Sequence, residues 1–137
     1  MNNFILVCVF AALCSCTLPK RYGSSLTPEQ QQAARQLQYY KTGEKIKNGE
    51  IRFDGGDGLS IENAIIINGA QSEGEGIPAG FIYIMKKHGE GNKDWKTIMQ
   101  SLTSTNGKSY DEIQIEDIKN NKKVAYYFDI AAFLGKY

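Results

Sequence analysis

Several stretches of this 137-residue chain hold side chains that could do chemistry. "DGGDG", Asp54 to Gly58, sets two carboxylates in a glycine-rich segment, the composition of a calcium loop. The D-x-D-x-D-G spacing with a glutamate at position twelve is missing, so the segment reads as a tight turn whose aspartates bond their own backbone. His88 is the sole histidine. With one imidazole and no cysteine after position 16, a zinc set cannot be assembled. A histidine in the last turn of a helix is favoured there by the dipole alone. The strand-like "YDEIQIED" puts Asp111 and Asp117 on the face of Ile113 and Ile115, with Glu112 and Glu116 opposite. Paired carboxylates serve glycoside hydrolysis when they flank a cleft, and alternating acid and isoleucine is also the pattern of a half-exposed strand. "SEGEGIPAG" crowds glycines around a possible helix start, but Glu73 and Glu75 oppose anion binding there, and the segment reads as a mobile loop.

The thiols have a different logic. Cys8, Cys14 and Cys16 all lie in or just after the apolar run Phe4 to Cys14. Eleven residues are too few for a membrane span of about 20 and suit the core of a signal peptide of about 7–15, although "MNN" supplies no basic residue before it. A buried N-terminal helix is the alternative. Leu13-Cys14-Ser15-Cys16 resembles the lipobox of bacterial lipoproteins, with Cys14 departing from the commoner Ala, Ser or Thr. The resemblance implies cleavage between Ser15 and Cys16 and attachment of diacylglycerol to the Cys16 sulfur. Ordinary secretory cleavage, leaving a soluble protein, is the competing reading. Removal of residues 1–15 leaves no thiol pair for a disulfide, so the fold must cohere through its core. By the same resemblance, Thr17 in place of an inner-membrane retention aspartate points slightly to an outer-membrane address in the cell envelope.

The charged residues, 16 basic and 15 acidic, all fall beyond position 15 and leave a net charge of +1. No clustered positive face exists for a phosphate backbone, so nucleic acid is not an expected partner; "KNNKK" at 119–123 reads as a solvated turn.

These side chains must be positioned by a small set of elements. Residues 16–44 read as a lipid-anchored linker followed by an amphipathic helix. Thr27 is its N-cap, Pro28 its first residue, Gln30 completes a capping box, Ala33, Ala34, Leu37 and Tyr40 form a narrow stripe, and Gly43 is its stop. Residues 45–137 read as the compact domain. A short strand over 50–53 and an apolar strand over 64–67 come first, the three consecutive isoleucines implying burial on both faces. A helix over 78–88 carries a stripe of Ile77, Phe81, Ile84 and Met85 and stops at Gly89. A three-stranded meander then runs through Trp95, Ile98 and Leu102, turns at Asn106-Gly107, returns through Ile113 and Ile115, and closes with Val124 to Phe128. Asp129 caps a final turn, "IAAFLG". The result is an α+β domain, a small antiparallel sheet with a helix on one face.

Aromatics give the stronger functional hint. In a strand Tyr126 and Phe128 face one way and Tyr127 the other. Tyr127, with Trp95 or Tyr110, would form a surface suited to a peptide, glycan or envelope protein, unless the N-terminal helix covers it. "DGLSIENAIII" (57–67) and "YYFDIAAFLGK" (126–136) are similar to segments of small uncharacterised bacterial secreted or lipoprotein-type proteins, which open with D-G-x-S-x-E-x-A-I-x-I and close with Y-F-D-I-x-x-F-F-G-K. Leu134 stands where that pattern has an aromatic. The resemblance implies one continuous domain over 57–136 and carries no activity, cofactor or catalytic residue. The expected function is that of an interaction module held on a membrane by lipid. A carboxylate-dependent secreted hydrolase using Asp54 or Asp57 with Asp111 or Asp117, and an inhibitor or immunity-type protein, are the alternatives. No cofactor and no metal are expected.

Overall fold

The computed structural model describes residues 26–137. The signal segment, Ser15, Cys16 and most of the linker lie outside the described residues. The element order is α1 (Pro28–Lys47), β1 (Arg52–Gly55), β2 (Ile65–Asn68), α2 (Glu73–His88), β3 (Trp95–Thr105), β4 (Lys108–Asp117) and β5 (Lys122–Asp129). The strands form one sheet in the order β1-β2-β5-β4-β3, and every neighbouring pair is antiparallel except β2 with β5. This is the α+β architecture expected from the residue pattern, with α2 on one face of the sheet and α1 stacked over α2.

The meander follows from its turns. Asn106 and Gly107 both take positive φ, 50° and 73°, giving the two-residue hairpin that matches strand twist. Asn121 turns the next corner at φ 52°, while Asp117 accepts the Asn120 N–H at 2.9 Å. Ile113, Ile115, Tyr126 and Phe128 point to the α2 face and are buried. The other face of the meander carries a polar lattice that includes Thr103 to Glu112, Gln114 to Glu112 and Lys96 to Glu116.

That single-sided cover corrects one expectation. Ile65 and Ile67 are 1% exposed, but Ile66 between them is 39% exposed. β2 is an interior strand buried on one face only, because no described helix covers the second. β1 is also displaced by two residues from its expected span, to Arg52–Gly55.

Helix α2 differs most from its expected form. It starts at Glu73, not Pro78, so the segment read as a mobile loop is helical. Its buried residues are mostly small: Gly76, Pro78, Ala79 and Gly80 are buried with Ile84, while Met85 is 42% exposed. The glycines give the helix backbone close approach to the core. A β-carbon on Gly76 would overlap the fully buried Phe133 ring, and one on Gly80 would touch Phe128 and Ile113 at 3.5 and 3.6 Å.

Pro78 explains how α1 docks. Lacking an N–H, it leaves the carbonyl four residues earlier, that of Gly74, without its helical partner. Gln38 of α1 donates its side-chain amide to that carbonyl. Two turns further along α1, Lys45 pairs with Glu75, and this hydrogen bond is the first cause holding the Glu75 carboxyl below its ordinary range. Tyr39 meets Phe81 edge to face at 6.4 Å. Helix α1 therefore docks through Gln38, Tyr39, Thr42 and Lys45. The stripe of Ala33, Ala34, Leu37 and Tyr40 stays exposed, with Leu37 at 54% and Tyr40 at 68%. The capping box at Thr27 and Gln30 forms as expected. Gly43 does not stop the helix, which runs to Lys47 and past the expected domain boundary at residue 45.

Candidate functional site

A cleft of about 400 Å³ opens between the first half of α2, the β3–β4 hairpin and the C-terminal turn. Each wall has a local reason. Alternation places Gln100, Leu102 and Asp111 on the α2 face of the sheet, where Gln100 sits opposite Ile113 and Leu102 opposite Asp111. Asp129 accepts the Ala131 N–H at 3.1 Å and bends the chain so that Ile130 and Phe133 enter the core and Leu134 lines the cleft. Ile77 and Glu73 complete the rim from α2. Glu73 also accepts the Gly135 N–H at 2.6 Å, tying the C-terminal turn to the start of the helix.

Asp111 is the polar centre of this cleft. Its side chain is 7% exposed, and the Gln100 amide nitrogen lies 3.1 and 2.9 Å from its two oxygens. Lys45, Lys93, Lys96 and Lys108 pair with other carboxylates, and no basic side chain lines the cleft. Burial pushes the Asp111 carboxyl above its ordinary value, and the Gln100 bond opposes that only in part. A buried carboxylate without a countercharge costs stability, and its natural complement is a cation brought by a ligand.

A carboxyl whose folded pKa is raised stabilises the fold most when protonated, below its unfolded pKa near 3.9, and that contribution is lost as pH rises through the folded value. Asp111→Asn keeps an acceptor for Gln100 and removes the charge. It is expected to raise the melting temperature at pH 7, with the gain shrinking as pH falls toward 4, measured by circular dichroism melts across that range. A variant equal to the parent at every pH would show that the charge at Asp111 is not under strain.

The other sequence candidates are distributed differently. Trp95 is 4% exposed and lies in the core on the α2 face, its indole N–H donating to the Gly89 carbonyl at 3.0 Å. Tyr110 and Tyr127 point to the opposite face, where Tyr110 is 7% exposed and Tyr127 is half-buried. The three therefore do not form one surface, and Trp95 acts as a core plug. Asp54 accepts from the Asn68 amide at 2.6 Å, and Asp57 caps its own turn through the Leu59 N–H at 3.0 Å.

A second group gathers at the far end of α2. His88 Nε2 and the Tyr126 hydroxyl are 2.8 Å apart, and Lys87 lies over the Tyr83 and Tyr126 rings at 5.1 and 5.3 Å. Burial lowers the His88 pKa, against a raising influence from Asp117, and burial raises that of Tyr126. Asp57 acts electrostatically on Lys87. Asp57 and Asp117 thus influence the same helix end, whereas Asp111 lies at the opposite end of β4. Tyr126 is 4% exposed, so this group braces the α2 C-terminus from inside. Among the described residues no cluster of three or more His, Cys, Asp or Glu could hold a metal ion, and no helix is long and apolar enough to cross a membrane.

Comparison with protein-family models, curated proteins and solved structures finds no match. Sequence reasoning named Asp111 but not its cleft, since Gln100, Leu102, Ile130 and Leu134 converge only through the register of β3 on β4 and the C-terminal turn. The one signal available was the apolar "IAAFLG" run following a capping aspartate.

Proposed function

We propose that this chain is a lipid-anchored bacterial envelope protein whose domain binds a partner by taking a lysine side chain into the Asp111 cleft. The observation that carries the binding half is a buried carboxylate, unpaired by any cation among the described residues, at the centre of a cleft walled by Ile77, Leu102, Ile130 and Leu134. Aliphatic walls suit the methylene stem of lysine, and the carboxylate suits its ammonium. The anchor half rests on Leu13-Cys14-Ser15-Cys16 and the short apolar run before it.

The experiment is fluorescence anisotropy with a labelled peptide carrying one central lysine among small polar residues, beside the same peptide with norleucine in its place. Binding of the lysine peptide, and a loss of about tenfold or more with norleucine or with Asp111→Asn, is the expected outcome. Equal binding of both peptides, or no change in the variant, would contradict it.

A carboxylate-dependent hydrolase is the second reading, favoured by the presence of Glu73 and Asp111 on one cleft. Burial raises Asp111 in the direction a general acid needs. Glu73 is held by the Gly135 N–H, a bond that serves the fold.

A further inference from the structure

The sheet ends at β3, and among the described residues no strand pairs with its outer edge. We infer that this edge joins a second copy of the chain, β3 against β3 in antiparallel register, extending each five-stranded sheet across a two-fold axis.

The open stretch can be located. The Trp95 carbonyl accepts the Asn92 N–H at 2.7 Å, so the beginning of β3 is already covered by its own loop. A bulge between Thr97 and Met99 follows, and from Met99 to Thr105 the pairing with β4 is regular. Thr105 and Lys108 flank the two-residue turn and exchange both main-chain bonds. By alternation Thr103, Ser101 and Met99 also bond inward, which leaves the N–H and C=O groups of Gln100, Leu102 and Ser104 directed outward.

Natural sheets protect such an edge with charges, proline or bulges. The bulge here lies before Met99, and "TIMQSLTSTNG" from Thr97 to Gly107 contains no charged residue and no proline. Three apolar side chains on it are exposed: Ile98 at 42%, Met99 at 41% and Leu102 at 61%. Such a strand complements itself. With the two-fold axis at Leu102, Leu102 faces Leu102 of the second copy, Gln100 faces Ser104, Ser101 faces Thr103 and Met99 faces Thr105. All outward main-chain groups of the segment then find partners. Lys96 falls beyond the paired stretch, so no like charges oppose each other within it. A peptide of foreign sequence would gain the same main-chain bonds without this side-chain match.

The test uses the full chain with its three native cysteines changed to serine and one new cysteine added. Leu102→Cys is expected to give a reducible covalent dimer under mild oxidation at micromolar protein, because the paired α-carbons sit about 5.5 Å apart. Gln100→Cys, remote from its own copy in this register, is expected to give none, while a mixture of Gln100→Cys and Ser104→Cys chains gives the mixed dimer. In the otherwise unaltered chain, Leu102→Glu places two carboxylates on the axis, each opposite the Asp111 of its own chain. It is expected to raise the dimer dissociation constant about a hundredfold in sedimentation equilibrium, with Trp95 fluorescence confirming the fold. No dimer at position 102, or equal yields at positions 100 and 102, would overturn the inference. A monomeric parent chain at the concentrations used would do the same.

Discussion

Gly76→Ala is expected to destabilise the domain, and Gly43→Ala, the same change in the other helix, to stabilise it. Both glycines lie inside helices, where alanine is intrinsically better by about 1 kcal/mol. At Gly43 an added methyl meets nothing within 4 Å, so the full propensity gain is available. At Gly76 the methyl overlaps the Phe133 ring, which is fully buried and cannot swing into solvent. Overpacking of this kind costs about 3 kcal/mol, leaving a net loss of about 2 kcal/mol. For a domain of this size that lowers the melting temperature by about 10 °C. Thermal melts of the two variants beside the parent check the pair. If Gly76→Ala melted at or above the parent temperature, the seating of α2 on the C-terminal turn would be wrong, and with it the shape of the cleft.

Cys16→Ser carries the largest expected effect on location. A thioether-linked diacylglycerol buries two acyl chains at about 0.8 kcal/mol per methylene, enough to hold a protein on a bilayer effectively permanently. Serine offers no thiol for that linkage. The variant is expected to lose incorporation of a fatty-acid probe completely and to leave the membrane pellet for the soluble fraction, while the parent remains in the pellet through a high-salt wash. Persistence of label in the variant would contradict the anchor, as would an unlabelled parent. Salt release of the parent would point to an electrostatic attachment instead.

Much of the fold was legible because local chemistry dictates it. Thr27 with Gln30, Asn106-Gly107 and Asp129 each fix a cap or a turn through bonds that span a few residues, and each forms as the sequence implies. The meander follows from period-two alternation in "YDEIQIED" and "VAYYFD". What failed to show in the sequence depends on partners far along the chain. Gly43 looked like a helix end because glycine is the commonest C-cap; continuation to Lys47 is secured by docking on α2, where Thr42 is buried. "SEGEGIPAG" looked like a loop because glycine and proline disfavour helix. In the fold those glycines admit Phe133 and Phe128, and Gln38 takes the carbonyl that Pro78 leaves free. "III" looked buried on both faces, since a sequence does not show which face of a sheet a helix will cover.

The candidate site divides along the same line. Asp111 could be named, since its alternation with Ile113 and Ile115 placed a carboxylate on the core face. Its environment could not, because the residues that isolate it come from α2, β3 and the C-terminal turn. Strand alternation separates Tyr127 from Tyr126 and Phe128, but it does not say which face Trp95 and Tyr110 take. The bulge in β3 and the register of β4 on β5 place Trp95 on the other side of the sheet from Tyr110 and Tyr127.

The proposed function requires that the Asp111 cleft receive an ammonium group on an aliphatic stem. The most direct measurement is a methyl-resolved proton–carbon NMR titration of the full chain with butylammonium raised into the millimolar range, with butanol as the uncharged counterpart. The expected result is saturable shifts at the methyl groups of Ile77, Leu102, Ile130 and Leu134, with Ile61 and Ile66 on the far side of the sheet unmoved. Those shifts should be much weaker with butanol and absent in Asp111→Asn. Shifts spread over the surface, or the same shifts with butanol and in the variant, would contradict it.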